Sequence, residues 1–292
     1  MSSRLSRFQR DPHICPVQLT SRDRELIHRV FEYRFLRSTQ LVSLQTGSHQ
    51  QILRRLQRLY HHGYLDRPRA QIDYYRRGSQ PMVYGLGNKG IALLEREEGV
   101  PHRKLDWTAR NRSITRYFIE HTLAVAEAMV AIEVSCQRNR IELVHPTDRH
   151  PVRWNVALHH AGITATIGVI PDRVFGLKSV DGIRWFFLEV DRATMPVARN
   201  NLKQSSFHRK LLAYHETWRQ NAVKASFPRF QVLTVTTTRQ HVESLLSANR
   251  RITGGKGSGL FLFTERRSFV TAKDVLKVPL TNGRSESVIL IS

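Results

Sequence analysis

Apolar side chains recur at helical spacing in the first third of the chain, and this pattern predicts three short helices in close succession. The three segments with this spacing are residues 19–36, 37–47 and 48–65. Thr20 precedes Asp23 by three residues, which is the spacing of a capping box, and a glycine ends the second and the third segment. The pattern then predicts a strand at 82–86, after a basic loop, and a helix from about residue 88.

A winged helix-turn-helix domain has three helices followed by two strands, and here a basic loop joins the two strands. We expect this domain at residues 19–97, after a basic N-terminal arm at residues 1–18. Residues 98–112 contain Gly99, Pro101 and mixed charge, and this composition predicts a linker.

We expect a second domain at residues 113–292. Helical patterns lie at 113–139, 198–221 and about 239–249. Strand patterns lie at 140–145, 153–158, 165–170, 184–190, 230–237 and 259–264. This order predicts a mixed sheet with helices, so the fold class we expect is a two-domain α/β protein. The tail of the chain either adds edge strands to this sheet or pairs with a partner.

The charge of the chain narrows the class of partner. Forty-six Lys and Arg against 24 Asp and Glu give a formal net charge of +22, and 37 of the 46 basic residues are arginines. Guanidinium groups make bidentate contacts with phosphate, so an excess of this size favours nucleic acid as the partner. A ribosome-like or membrane-surface protein, or a general basic bias, is the alternative.

Cysteine content and hydropathy indicate the compartment. The two cysteines are too few for a disulfide framework or a cysteine zinc site. No stretch approaches the roughly 18 uncharged apolar residues of a membrane-spanning helix. We therefore expect a soluble, cytoplasmic protein without membrane insertion.

The third predicted helix has a polar face suited to reading DNA. The side chains on or near that face are Gln50, Gln51, Arg54, Arg55 and Arg58. Side chains of these types read base edges and phosphates in a major groove. Arg76 and Arg77 lie in the basic loop, where the tip of a wing would contact the DNA backbone. The alternative is an ordinary solvated basic face on a module that binds proteins.

Acidic residues stand at the ends of two of the most apolar strands of the second domain. Asp172 follows the strand predicted at 165–170, and Glu189 and Asp191 lie at the end of the strand predicted at 184–190. If these strands pair as an antiparallel hairpin centred near residues 178–181, Asp172 lies across from roughly residues 187–189. Glu189 and Asp191 share one strand face because side chains alternate with a period of two. The three carboxylates then converge.

Carboxylates gathered in this way hold a hard divalent cation, and we expect Mg²⁺ or Mn²⁺ with Asp172, Glu189 and Asp191 as ligands. Such a metal activates a nucleophile and stabilises charge on a phosphodiester. The same acids can instead form ion pairs at strand ends, for example with Arg173 and Arg192, in which case the Pro-Asp dipeptide only begins a turn.

The motifs, taken in order, resemble a known family. Pro171-Asp172, then Glu189 and Asp191 two residues apart, then Lys210 in RKLLAY, are similar to the PD-(D/E)XK core of restriction-endonuclease-like nucleases. The N-terminal motifs LTSRDRELI, LQRLYHHGYL and VYGLGNKG precede them, followed by EHTLAV, IPDRVF and FLEVDRAT. This ordered set resembles the replication-relaxation family, which overlaps the MobC-type plasmid mobilisation relaxases, from residue 19 to about 240.

The resemblance implies a restriction-endonuclease-like domain at 113–292 that cuts one DNA strand at a transfer origin. Asp172, Glu189 and Asp191 match the acidic cluster of the family, and Lys210 matches the lysine on the following helix. These four are the catalytic residues that the resemblance implies.

The chain departs from the family pattern at one position. The lysine of the standard E-x-K motif is replaced by Asp191, so the positive role passes to Lys210 or Lys203, or is absent. Glu127 or Glu120 on the long predicted helix matches an additional acid that such nucleases use. Tyr214, on the apolar face of its helix, is interpreted as a core residue and not as a nucleophile.

Together these expectations describe a relaxase-like protein of a mobile element with double-stranded DNA of a transfer or replication origin as its partner. Other relaxosome proteins and a second copy of the chain stay open as further partners. One alternative is a non-catalytic DNA-binding replication or mobilisation factor, in which the second domain is a scaffold or dimerisation unit. The other is a winged-helix transcriptional regulator.

Overall fold

The computed structural model of the chain describes residues 6–72, 80–99, 106–146, 152–160, 163–194, 197 and 206–291. The chain divides into two compact units, Met1–Val130 and Ala131–Ser292. The division falls inside a 24-residue helix, Arg116–Asn139.

The first unit contains the predicted helices and three elements that the pattern did not predict. In chain order its elements are α1 (Ser21–Tyr33), β1 (Phe35–Arg37), α2 (Ser38–Ser43), α3 (His49–His61), β2 (Leu65–Asp66), a 3-10 turn (Arg69–Gln71), β3 (Val83–Leu86), α4 (Asn88–Glu98), α5 (Trp107–Ser113) and the first part of α6 (Arg116–Asn139). The unpredicted elements are β1, the 3-10 turn and α5, and α5 lies in the segment for which we expected a linker.

The beginning and end of α1 have separate local causes. Thr20 and Asp23 form the predicted capping box, in which each side chain accepts a hydrogen bond from the backbone N–H of the other residue. Arg34 ends the helix with a φ of 67°, so the apolar pair that follows leaves the helix and becomes β1. Helical spacing alone had assigned this pair to α1, because the left-handed turn at a non-glycine residue leaves no mark in the hydrophobic pattern.

The three strands of the first unit form one antiparallel sheet in the order β1-β3-β2. Part of its core is a buried cluster of Phe35, Val83, Ile119 and Leu123, which joins the sheet to the first half of α6. Gly87 connects β3 to α4 against the end of α3, and a Cβ there would lie 2.3 Å from a backbone carbonyl oxygen. Only glycine fits this close approach of two backbones.

The second unit is built around a seven-stranded mixed sheet. After α6 its elements are β4 (Glu142–Val144), β5 (Trp154–His160), β6 (Ile163–Val169), β7 (Arg173–Ser179), β8 (Gly182–Val190), α7 (Phe207–Arg219), β9 (Phe230–Thr236), α8 (Arg239–Ile252), β10 (Phe261–Glu265), α9 (Arg266–Val270), a 3-10 turn (Val275–Lys277), β11 (Leu280–Asn282) and β12 (Ser287–Val288). The strand order in the sheet is β12-β11-β10-β9-β8-β7-β4. Strands β8, β9 and β10 are parallel, and the remaining pairs are antiparallel.

The mixed α/β architecture is confirmed. Of the two alternatives for the C-terminal tail, the structure shows the first, because β11 and β12 extend the sheet. The predicted pairing of strands 165–170 and 184–190 is wrong. Strand β6 pairs instead with β5 in a separate two-stranded sheet, and the unpredicted strand β7 pairs with β8. Pro171 has no N–H to continue a ladder, so the chain stops pairing there and begins a new strand.

Strand β7 was missed because Gly176 and Lys178 interrupt its apolar pattern. The glycine has a packing role, since a Cβ there would lie 2.5 Å from the side chain of Ile183. The lysine points to solvent at the sheet edge and pairs with Glu142 of β4 at 2.7 Å.

Both faces of β8 are buried, and one of them also carries Glu189. Trp185, Phe187 and Glu189 lie on this face, because side chains alternate between the two faces along a strand. Phe187 is fully buried and packs its ring on Tyr214 of α7 and Phe230 of β9 at centroid distances of 6.0 and 4.7 Å. Truncating such a residue to alanine costs about 3–5 kcal/mol, so this cluster fixes α7 across the strand.

Among the described residues, none of the helices combines the length and the apolar composition that crossing a bilayer requires.

Candidate carboxylate site and basic surface

The candidate site lies at the carboxyl ends of the parallel strands β8 and β9, where the antiparallel strand β7 begins. Ligands bind in open α/β sheets at this kind of edge. The N–H of Asp172 donates to the carbonyl of Leu188 at 3.1 Å, and the N–H of Val190 donates to Oδ2 of Asp172 at 2.8 Å. These bonds extend the β7-β8 ladder by one residue and place Asp172 beside Glu189, as the hairpin argument expected.

Glu189 is 2% exposed, and both of its carboxylate oxygens have partners from α7. Nζ of Lys210 lies 2.6 Å from Oε2, and the hydroxyl of Tyr214 donates to Oε1 at 2.6 Å. Burial raises the pKa of Glu189, and the nearby charge of Asp172 adds to this increase, whereas the ammonium of Lys210 opposes it. The carboxylate is therefore held in a dry environment by one cation and one phenol.

Lys210 connects the three acids. Its burial would lower the pKa of the ammonium, but the charges of Glu189, Asp172 and Asp191 outweigh burial, and the pKa is raised. The ammonium is thus charged at neutral pH. Lys210 thus interacts with all three predicted carboxylates, and the part of these four residues in catalysis or metal binding stays a prediction.

Tyr214 is a buried hydrogen-bond donor. It is 1% exposed, and burial together with the charge of Glu189 raises its pKa well above the ordinary value. A phenol of this kind stays protonated and cannot serve as an exposed nucleophile. Its interpretation as a core residue is confirmed, and its hydrogen bond to the carboxylate was not predicted.

Asp191 is held by groups that the sequence did not point to. Its Oδ1 accepts from the N–H of Ala193 at 2.9 Å, and its Oδ2 accepts from the hydroxyl of Thr236 at 3.2 Å. Nε2 of His241, in the first turn of α8, lies 2.5 Å from Oδ2 without the geometry of a hydrogen bond. A histidine 50 residues away along the chain leaves no signal at Asp191, so only the packing of α8 reveals it.

The oxygen donors suit a hard cation, but they are engaged by the protein itself. Within the described ranges, no group of three or more His, Cys, Asp or Glu side chains has an arrangement that could hold a metal ion. A cation bound by Glu189 would have to take the place of the Lys210 ammonium. The oxygen ligands of Asp172 and Glu189 are of the type that Mg²⁺ and Mn²⁺ prefer, but Lys210 holds one of the Glu189 oxygens that a cation would need.

The predicted DNA-reading residues of α3 separate into two groups. Gln50, Gln51 and Arg54 are exposed. Arg55 and Arg58 are half-buried and donate hydrogen bonds within the first unit, so they are available to DNA only in part. Arg76 and Arg77 lie outside the described residues.

Arg55 supports the fold of the first unit through Asp23. Its guanidinium donates to both carboxylate oxygens of Asp23, which is fully buried. Burial alone would raise the pKa of Asp23, but hydrogen bonds from Arg55 and Thr20 outweigh it, and the pKa is lowered. The sequence could not separate this structural arginine from its exposed neighbour Arg54.

The sequence profile of the family described as replication-relaxation matches residues 27–230. This match covers more than half of the chain and includes α3 and all four predicted catalytic positions. The chain belongs to the replication-relaxation family. No curated protein and no solved structure matches this member of the family.

The resemblance also implied an additional acid on the long helix and an alternative lysine. Glu120 and Glu127 lie on α6 within the first unit, whereas the carboxylate cluster belongs to the second. Glu120 forms an ion pair with Arg116 at 2.7 Å. Their part as an additional acid stays a prediction, and Lys203 lies outside the described residues.

Proposed function

We propose that this replication-relaxation protein binds duplex DNA of a mobile element through its first unit and nicks one strand through the carboxylate site of its second unit. The observation that carries the proposal is the arrangement of Asp172 beside Glu189 at the carboxyl edge of the sheet, with Lys210 of α7 at 2.6 Å from Glu189. Membership of the family supports a role in replication or in mobile-element function.

The first unit supports the DNA-binding part of the proposal. Its element order, α1-β1-α2-α3-β2-β3, with an antiparallel sheet ordered β1-β3-β2, agrees with a winged helix-turn-helix. Gln50, Gln51 and Arg54 on α3 are exposed and are of the types that pair with adenine and guanine edges. The net charge of +22 favours the same partner.

The second unit supports the nuclease part. A helix, the strands β4, β7 and β8 as a meander, then α7 and β9, follow the order that the resemblance to PD-(D/E)XK nucleases implies. The pair β5-β6 is an insertion into this order that forms its own small sheet. The acids stand where β7 begins and β8 ends, and the lysine comes from the next helix.

In this proposal Asp172 and Glu189 supply the oxygen ligands, and Asp191 adds charge beside them. Bound there, Mg²⁺ or Mn²⁺ would activate a nucleophile and stabilise charge on the phosphate. The ammonium of Lys210 is charged at neutral pH and is suited to leave Glu189 and contact a non-bridging phosphate oxygen. Tyr214 keeps its proton and orients the Glu189 carboxylate.

A second candidate function is a non-catalytic DNA-binding factor for replication or mobilisation. The observation that favours it is the saturation of Glu189, whose two oxygens are both bound by side chains of α7. In that case the ion pair holds α7 on the sheet and has no part in cleavage.

Nicking of a supercoiled plasmid that carries the native origin, with Mg²⁺ or Mn²⁺, separates the two functions. The first predicts a nicked product whose rate of formation falls by about 10²-fold or more in Asp172→Asn and in Glu189→Gln. The matched controls are Glu142→Gln and Lys178→Met, which alter an exposed ion pair of the same sheet. Tight origin binding with no nicking under either metal would remove the first function and leave the second.

Binding of origin duplex tests the first unit by itself. Arg54→Ala should weaken binding by about 1–3 kcal/mol and relax the preference for one base position. The matched control is Arg96→Ala on α4, which removes an equal charge from a side chain that is 73% exposed and paired only at 3.4 Å. Equal losses for both variants would show that α3 contributes charge without reading sequence.

A further inference from the structure

A pocket of about 390 Å³ opens beside the beginning of β8, at the other end of the strand from the carboxylate site. Its walls come from β8, the end of α7, the turn after α7 and the beginning of β9. The volume lies within the range of pockets that bind small organic groups.

The described residues that line this pocket include three cations and no acid. The cations are Arg184, Lys224 and Arg229. Arg184 donates to Gln231 and to the carbonyl of Leu290, so its charge is fixed in the wall. Arg229 donates to one backbone carbonyl at 3.0 Å, and Lys224 is exposed. The pocket therefore selects an anionic or anion-linked occupant.

Trp218 provides an aromatic surface at the mouth of the pocket. It is 55% exposed, although most tryptophans in soluble proteins are largely buried. The floor behind it is rigid, because Trp185 and Phe227 pack edge to face at a centroid distance of 5.0 Å. Asn221 adds an amide that can donate to and accept from a polar ring edge.

An exposed indole, cations and an amide together match a nucleotide, which has a flat base, polar base edges and a phosphate. We propose that this pocket binds an unpaired nucleotide of single-stranded DNA, with the base stacked on Trp218 and the flanking phosphates held by Lys224 and Arg229. Stacking of bases on aromatic side chains above a basic groove is a general mode of single-strand binding.

The pocket and the carboxylate site are joined by one strand and one helix. Trp185 and Glu189 are four residues apart on β8, or about 13 Å at strand spacing. Trp218 and Lys210 are eight residues apart on α7, or about 12 Å at helical rise. About four stacked nucleotides span this distance. Single-strand binding here does not depend on cleavage, so it can hold even if the carboxylate site does not cut.

Fluorescence anisotropy of a labelled thymidine strand of about 12 nucleotides, titrated with the full chain, tests the proposal. Trp218→Leu keeps apolar area at the mouth of the pocket without a stacking face and should weaken binding about tenfold, whereas Trp218→Phe should stay within about threefold of the parent chain. A strand of the same length without bases should bind the parent chain and Trp218→Leu equally. Unchanged affinity of Trp218→Leu for the thymidine strand would overturn the proposal.

The salt dependence of the same titration tests the phosphate contacts. Lys224→Ala should reduce the slope of log affinity against log salt by about 0.7, the contribution of one phosphate of a single strand. Lys256→Ala removes an equal charge from an exposed turn outside the pocket and should leave the slope unchanged. Equal slopes for both variants would place the phosphates elsewhere and overturn the assignment. Duplex DNA of the same length should bind all variants alike, and a parallel loss on the duplex would also contradict the pocket's preference for a single strand.

Discussion

Replacing Lys210 by methionine removes the ammonium from Glu189 while keeping an unbranched side chain of similar length on α7. Glu189 is 2% exposed, and α7 gives its carboxylate two contacts, from Lys210 and from Tyr214. In the variant only the hydrogen bond from Tyr214 is left of these two. We expect Lys210→Met to destabilise the second unit, because an uncompensated charge in a dry site is costly. Glu189→Gln in addition removes that charge and should restore much of the loss.

The size of the effect follows from the distance and the exposure of the pair. At 2.6 Å the Coulomb attraction is about 6 kcal/mol at an effective dielectric constant of about 20, before any desolvation is subtracted. Breaking a buried pair by removing one partner typically costs about 3–5 kcal/mol. The Lys210 side chain is 38% exposed, so water screens part of the attraction. We therefore expect a coupling free energy of about 2–3 kcal/mol between the two positions.

Urea unfolding of Lys210→Met, Glu189→Gln and the double variant gives this coupling directly. Three of the four tryptophans, at 154, 185 and 218, lie in the second unit, and Trp107 lies in the first. A Trp107→Phe background therefore makes fluorescence a probe of the second unit alone. A coupling below about 0.5 kcal/mol would show that Glu189 is neutral in the folded protein, and the electrostatic reasoning would then be wrong.

Three further predictions concern other parts of the chain. Asp23→Asn should destabilise the first unit by about 3 kcal/mol and make its acid unfolding transition less steep. The lowered pKa of folded Asp23 gives stability that is present above the ordinary pKa of 3.8 and is lost as the pH falls below it. Circular dichroism against pH measures this, and an acid transition identical to that of the parent chain would contradict it. Gly87→Ala should destabilise by about 2 kcal/mol or more, since its Cβ would lie 2.3 Å from a carbonyl oxygen, and a neutral melting temperature would show that the turn can open. Burial raises the pKa of the Cys136 thiol to about 12, so a thiol reagent should modify one group per native chain, at the exposed Cys15, and labelling should vanish in Cys15→Ser; rapid modification of both thiols would refute the burial.

The sequence was informative wherever a pattern is local. Thr20 and Asp23 predicted the start of α1, and strand periodicity predicted β8 with Glu189 near its end. The proximity of Asp172 to Glu189 followed from a hairpin argument, although the strand assigned to the hairpin was β6 when the structure uses β7. Asp172 lies beside Glu189 all the same, because it directly precedes β7, which pairs with β8.

Contacts that depend on the packing of helices on the sheet could not be predicted from the sequence. Lys210 was connected to the acids through a family resemblance, and its position against Glu189 depends on how α7 crosses β8. The hydroxyl of Tyr214 and the ring of His241 reach carboxylates 25 and 50 residues away in the chain. Nothing in the local pattern distinguishes such side chains from ordinary core or surface residues.

The order of strands in the large sheet has a consequence for how the second unit is made. The strands of this sheet lie side by side in the order in which they occur along the chain, from β4 to β12. The only interruption is between β4 and β7, where the chain first forms the separate β5-β6 pair. A chain leaving the ribosome can therefore add these strands one at a time to an edge that already exists, without threading. The segment β7-β8 is synthesised before α7, so a hairpin that forms at that stage holds Asp172 beside Glu189 without the ammonium of Lys210.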